Sequence, residues 1–239
     1  MYKVGMYCGI FNPLHMGHLK CIIKASSLCE ELHIIIRYGL FKNDEISVRV
    51  RYRWLYQLTK HISNVELHIL EDITLSKEEY ASNRAYWDED AIKVRAMIGK
   101  PIDVIFCDND YNDVSLYKLC YPESQIYYFE RDEISSTKIR QNPYLYWDWL
   151  PNVVKPYYVK KVLLIGGEST GKSTLSINLA NYYNTNYVEE VGKELSEKSG
   201  TDSMMLLEDF EEILLKHRLK VIEAVEKSNK VLFIDTDSL

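Results

Sequence analysis

The decapeptide Gly9-Ile10-Phe11-Asn12-Pro13-Leu14-His15-Met16-Gly17-His18 follows an apolar run, Lys3–Cys8, and opens a stretch with helical spacing. Strand, tight turn and helix start, in that order, are where an α/β sheet presents free backbone N–H groups to an anion. Gly9 and Gly17 leave the backbone open to close approach by a ligand, and Pro13 stiffens the turn between them. His15 and His18, three residues apart, share one side of the first helical turn and add two imidazoles to its N–H groups. The stretch reads as a phosphate-handling turn; the plainer alternative for an isolated HxxH is two surface histidines.

Working outward, short apolar runs recur at Leu32–Ile36, Val65–Leu70, Ile102–Cys107 and Gln125–Phe129, separated by helical patterns around 17–29, 47–60 and 85–99. That alternation predicts a parallel α/β sheet. Ligands of such sheets bind beyond the carboxyl ends of the strands, at the topological switch point. A second segment, Ile134-Ser135-Ser136-Thr137-Lys138-Ile139-Arg140, follows the last of these strands. Its hydroxyls sit at a helix start, and Arg140 one turn later can fork across a phosphate. The two segments are therefore expected to face one site from opposite sides.

From Gln141 to Tyr158 the texture turns aromatic and proline-bearing, with no clean period, which marks a domain junction whose rings are expected to pack between domains. Beyond it, the apolar run Lys161–Ile165 leads into Gly166-Gly167-Glu168-Ser169-Thr170-Gly171-Lys172-Ser173-Thr174 and a helical pattern to Tyr183. This is GxxxxGK[ST] in its strand–loop–helix context, a P-loop. Its N–H groups cradle nucleoside triphosphate, Lys172 neutralises the β and γ oxygens, and Ser173 ligates Mg²⁺. The run Val231-Leu232-Phe233-Ile234-Asp235-Thr236-Asp237 reads as a strand ending in a second Mg²⁺ ligand, Asp235. A helical pattern of mixed charge near 204–226 reads as a solvated amphipathic helix.

The chain has 239 residues, is 46% hydrophobic and carries a net charge of −6, which suits packed domains and disfavours a general DNA or anionic-membrane surface. Cys8, Cys21, Cys29, Cys107 and Cys120 form no CxxC pair and read as packing residues in a reducing, cytoplasmic compartment. No signal peptide or membrane-spanning run is expected.

The GIFNPLHMGH and ISSTKIR segments together resemble the nucleotidyltransferase superfamily with HxGH and ISSTxIR signatures. With a P-loop domain behind them, the chain resembles the bifunctional nicotinamide mononucleotide adenylyltransferase and ribosylnicotinamide kinase family, the NadR type. The resemblance spans essentially the whole chain. It implies a Rossmann-like doubly wound nucleotidyltransferase domain over residues 1–142, a linker over 143–159 and a partial P-loop kinase-like α/β domain over 160–239. The implied reaction joins ATP and nicotinamide mononucleotide into NAD and pyrophosphate, with ribosylnicotinamide as a further substrate of the kinase part and Mg²⁺ as counterion.

By this resemblance His15 and His18 act on the transferring phosphoryl, His18 on the α-phosphate, and Arg140 with Ser135, Ser136 and Thr137 holds the β and γ phosphates. Gly9, Phe11, Asn12 and Gly17 complete the ATP turn. Lys138 is open between phosphate and solvent. Arg53, Arg84, Trp87 and Arg131 fit the family pattern; Trp87 either stacks on nicotinamide or packs in the core. Asp237 is either the partner of a riboside hydroxyl or a surface carboxylate.

There are departures. Cys107-Asp108-Asn109-Asp110-Tyr111-Asn112 replaces a Ser-Glu-x-Tyr-Gly-like adenine segment, and Gly192-Lys193-Glu194 stands where relatives have Gly-Arg-Glu. The signature lies so near Met1 that no DNA-binding helix-turn-helix is expected, and the chain stops so soon after Asp235 that the kinase part is expected to be incomplete and inactive on ribosylnicotinamide. Two other functions stay open: transfer to another phosphate acceptor such as phosphopantetheine, and nucleotide sensing without turnover. Oligomeric state is open too.

Overall fold

The structure is a computed structural model describing residues 1–39, 45–73, 76, 79, 83–108, 114–130, 133–167, 169–192, 198–200 and 202–235. It divides into two compact units, Met1–Pro151 and Asn152–Leu239. The division falls inside the stretch read as a linker. Trp147 and Trp149, expected to pack between domains, lie in the first unit. There Trp147 is buried and the Lys20 ammonium lies 5.2 Å from the centre of the Trp149 ring.

In the first unit, strands β1 (Tyr2–Gly9), β2 (Cys29–Tyr38), β3 (Val65–Glu71), β4 (Val104–Asp108) and β5 (Gln125–Phe129) form one sheet in the order β3-β2-β1-β4-β5. Every pairing is parallel. The central strands read as continuous apolar runs because helices cover both faces. The chain winds from β1 out to β3, then crosses back to β4. The carboxyl ends of β1 and β4 therefore flank the switch point.

Helix α1 (Met16–Leu28) follows β1, α2 (Val48–Thr59) follows β2, and α3 (Arg84–Ile98) precedes β4. Ser47 caps α2 by accepting from the Arg49 N–H, and Asn83 caps α3 by accepting from the Tyr86 N–H. Helix α3 lays Trp87, Ala91, Val94 and Ile98 against Met6, Cys8, Ile35 and Ile105. Each valine, isoleucine or methionine so buried contributes about 1.5–3 kcal/mol. Within this core the Arg37 guanidinium donates to both Asp90 oxygens, at 2.9 and 2.5 Å. Two short helices, α4 (Val114–Cys120) and α5 (Ser136–Gln141), flank β5.

The second unit holds α6 (Lys155–Tyr158), β6 (Lys160–Leu164), α7 (Lys172–Tyr183), β7 (Tyr187–Val188), α8 (Leu207–Lys227) and β8 (Val231–Asp235). Its strands pair in parallel in the order β6-β8-β7. Helix α8 buries His217 while Leu214, Leu215 and Leu219 stay exposed, so its outer face is more apolar than a solvated amphipathic helix requires. No helix among the described residues is long and apolar enough to cross a membrane.

Candidate active site

Beyond the carboxyl end of β1 the chain enters a turn in which Phe11 takes a left-handed φ of 53° and the Asn12–Pro13 peptide is cis. His15 caps α1 with extended backbone. The His15 and His18 rings stack at 3.7 Å, and the edge of Phe11 meets His18 at 5.0 Å. The His15 backbone N–H donates to His18 Nδ1 at 3.3 Å. A ring nitrogen that accepts carries no proton, so neutral His18 bears its hydrogen on Nε2. The turn thus fixes which end of the imidazole donates.

The ISSTKIR segment closes onto this turn through its own hydrogen bonds. Ser136 Oγ donates to the Pro13 carbonyl at 3.0 Å, and Arg140 Nη1 donates to the Asn12 carbonyl. Arg140 Nη2 also donates to Thr137 Oγ1 at 3.2 Å, and Ser135 Oγ accepts from the Lys138 N–H. Between the segments lies a cavity of about 460 Å³ lined by Gly9, Phe11, Asn12, His15, Gly17, His18, Ser135, Ser136, Thr137 and Arg140. Both signatures, far apart in sequence, meet at one site on the expected end of the sheet.

The candidate residues divide between cavity, core and surface. Gly9 and Gly17 line the cavity and also make room for the protein's own rings: a Cβ at Gly9 would lie 2.7 Å from Phe11 Cζ, and one at Gly17 would lie 3.0 Å from the His15 ring. Trp87 is 1% exposed, edge-on to Tyr117 in the core, so of its two readings packing is what the fold uses. Arg53 is exposed on α2 and is not among the cavity residues. Its neighbour Arg51 is fully buried instead, donating to the carbonyls of Ile10, Arg37 and Ile46 and so bracing the start of the turn. Lys138 donates to the Glu133 carbonyl rather than reaching the cavity, and Arg84 pairs with Asp88 on the surface. Arg131 and Asn109, Asp110, Tyr111 and Asn112 lie outside the described residues.

The cavity also draws on residues the sequence reading passed over. Lys20 and Lys24, one and two turns along α1, line it and add two ammonium groups to the imidazoles; their i, i+4 spacing was the available signal. Cys8 and Cys107 line its floor with Phe106, Tyr117 and Phe129. Burial pushes the Cys8 thiol up, against the opposing pull of the Arg37 guanidinium, which keeps it protonated and inert.

In the second unit Gly171 takes φ 87° ahead of α7, and Lys172 Nζ donates to the Gly166 and Gly167 carbonyls at 2.8 and 2.9 Å. Thr170 Oγ1 donates to the Gly167 carbonyl, while Ser173 and Thr174 are exposed in the first turn of α7. Asp235 pairs in register with Leu164, which puts this buried acid beside the end of the P-loop strand. Glu168, Lys193, Glu194, Thr236 and Asp237 lie outside the described residues.

Comparison with known proteins matches residues 6–142 to the cytidylyltransferase-like family and residues 161–239 to an AAA domain. The chain is 34% identical, over 98% of its length, to the trifunctional NAD biosynthesis/regulator protein NadR of Salmonella typhimurium (strain LT2), of which it covers 60%. The match to NadR of Escherichia coli (strain K12) has the same identity and coverage, so the chain spans about 60% of the length of these relatives. A phosphopantetheine adenylyltransferase of Helicobacter pylori (strain Shi470) is 35% identical over 33% of the chain and 51% of that protein. A crystal structure of NadR in complex with NR superposes with a TM-score of 0.85 at 25% identity, covering 98% of this chain and 68% of that one. NadR in complex with NAD and AMP-PNP shares the fold, with a TM-score of 0.81 at 23% identity over 99% of this chain and 70% of that one.

Proposed function

Since this chain belongs to the cytidylyltransferase-like family, we propose that its first unit transfers the adenylyl group of ATP to nicotinamide mononucleotide, giving NAD and pyrophosphate. The observation that carries this reading is the cavity in which the His15–His18 turn is tied by Ser136 and Arg140 to the ISSTKIR helix. The match to NadR along 98% of the chain supports the choice of acceptor.

In this reaction a phosphate oxygen of the acceptor attacks the α-phosphorus, the bond to the bridging oxygen of the β-phosphate breaks, and pyrophosphate leaves. Charge builds on the α-phosphoryl oxygens, so donors already aimed there lower the barrier without reorganising. His18, with its proton on Nε2, supplies such a donor, and the N–H groups at the start of α1 supply others. Arg140 and the hydroxyls of Ser135, Ser136 and Thr137 hold the β and γ phosphates, while Lys20 and Lys24 balance the charge of the departing pyrophosphate. Mg²⁺ would bind mainly through ATP oxygens and water in the first unit, and through Ser173 and Asp235 in the second, where it neutralises phosphate charge; hydroxyl and carboxylate oxygens suit so hard a cation.

Pyrophosphate release with nicotinamide mononucleotide, nicotinate mononucleotide and phosphopantetheine as acceptors tests the reading. Turnover with nicotinamide mononucleotide is expected. Turnover confined to phosphopantetheine would overturn the acceptor, and tight NAD binding with no pyrophosphate release under any condition would favour a sensor.

The P-loop unit is proposed to bind the phosphates of a nucleoside triphosphate, Lys172 exchanging the Gly166 and Gly167 carbonyls for β and γ oxygens. Loss of ATP binding to this unit in Lys172→Ala, with pyrophosphate release by the first unit unchanged, is the expected result. Ribosylnicotinamide phosphorylation that disappears in the same variant would extend the proposal from binding to kinase chemistry. None of the five cysteines is disulfide-bonded, which supports placing the protein in the cytoplasm.

A further inference from the structure

On the face of the sheet that packs against α3, the register pairs His33 of β2 with Glu66 of β3, and Ile35 with His68, so His33, Glu66 and His68 project side by side. His33 Nδ1 lies 2.9 Å from His68 Nε2, and Glu66 Oε2 lies 3.6 Å from the first and 3.9 Å from the second. A circle through these three atoms, drawn from those separations, has a radius of about 2.0 Å, and zinc-type ions bind imidazole nitrogen and carboxylate oxygen at about 2.0–2.2 Å. An ion can therefore contact all three with adjustments of a few tenths of an ångström and retain an open position. None of the three residues lines the nucleotide cavity.

We propose that His33, Glu66 and His68 form a binding site for a divalent transition-metal ion of the zinc class, separate from the adenylyltransferase cavity. The set is two imidazoles and one carboxylate, which suits Zn²⁺, Co²⁺ or Ni²⁺ over the all-oxygen preference of Mg²⁺. Accessibility is graded: the His33 side chain is 3% exposed, His68 16% and Glu66 65%, so the ion enters from the solvent side, past Glu66, onto a rigid inner ligand. Among the described residues the buried His33 Nε2 has no hydrogen-bond partner, and it lies 3.9 Å from Glu31 Oε2, which Lys100 grips at 2.6 Å. When Nδ1 takes the metal, the proton moves to Nε2 and faces this carboxylate, the outer partner that orients metal-bound histidines.

The test uses the whole chain after chelator treatment. It is titrated with Co²⁺, read by visible absorption, and with Zn²⁺, read by calorimetry, without nucleotide. One equivalent of Co²⁺ giving the intense bands of a low-coordinate nitrogen–oxygen site is expected. Glu66→Gln and His68→Gln, at the accessible positions, should each weaken binding at least about tenfold while circular dichroism stays that of the parent. A parent spectrum no different from aqueous Co²⁺ would overturn the proposal. So would binding that survives both substitutions, in particular if His18→Ala removes it and so moves the ion to the nucleotide cavity.

Discussion

Replacing Gly9 by alanine separates two reasons for a glycine at the end of β1. The added methyl would sit 2.7 Å from Phe11 Cζ and 3.0 Å from both Cε atoms. Carbon atoms settle at about 3.5–4.0 Å, so the ring must retreat by roughly 0.8 Å or the strand must bend. Phe11 is 1% exposed, with Tyr7 edge-on at 5.8 Å and His18 at 5.0 Å, so the ring can retreat only against these neighbours or into the cavity it lines. Overpacking of this kind costs about 1–3 kcal/mol. For a unit of this size that is a fall in Tm of about 2–12 °C. Because the displaced ring leans on His18, kcat for adenylyl transfer should fall by about ten- to a hundredfold, with a smaller change in the KM for ATP. The assay pairs thermal unfolding with pyrophosphate release for Gly9→Ala, Phe11→Leu and the double variant. Removing the far end of the ring should restore more than half of the stability lost, a coupling a double-mutant cycle detects. An unchanged Tm with a raised KM for ATP would show that Gly9 admits the ligand and that the packing argument is wrong. Strict additivity of the two substitutions would refute it as well.

His18→Ala removes the oriented Nε2 donor and should lower kcat about a hundred- to a thousandfold with the fold intact; activity within threefold of the parent would discard its assignment. Arg140→Ala takes away both the proposed phosphate partner and the donor to the Asn12 carbonyl, so the KM for ATP should rise at least about tenfold, and Arg140→Lys should not rescue it because an ammonium lacks the planar fork. An unchanged KM would dismiss the phosphate contact. Asp90→Ala strands the buried Arg37 guanidinium and should cost about 3–5 kcal/mol in urea unfolding, while Arg37→Met combined with Asp90→Leu should cost less than either loss alone. A double variant that loses the sum of the two single costs would mean the pair is not a coupled unit.

The order of elements, the parallel sheet and the positions of both signature segments were legible from the sequence because each rests on local chemistry. Apolar runs of strand length, a glycine-bearing turn before a helix and GxxxxGK[ST] carry their meaning within about ten to fifteen residues. That the decapeptide and ISSTKIR face one cavity also followed, since both leave parallel strands at the same end of a sheet. What the glycines at positions 9 and 17 accommodate could not be read, because the space beside a Cα belongs to whichever ring the turn folds back, here Phe11 and His15. Likewise Arg51 and Arg53 look interchangeable on a helix of unknown rotation. Only the packing of α2 turned Arg51 inward to the Ile10 carbonyl and left Arg53 in solvent. His33, Glu66 and His68 become a metal-sized cluster through the β2–β3 register alone, as a slip of one residue would send one strand's ligands to the opposite face. Local patterns determined which chemistry this chain can carry; long-range register and helix rotation, which no short window encodes, decided which side chains meet to perform it.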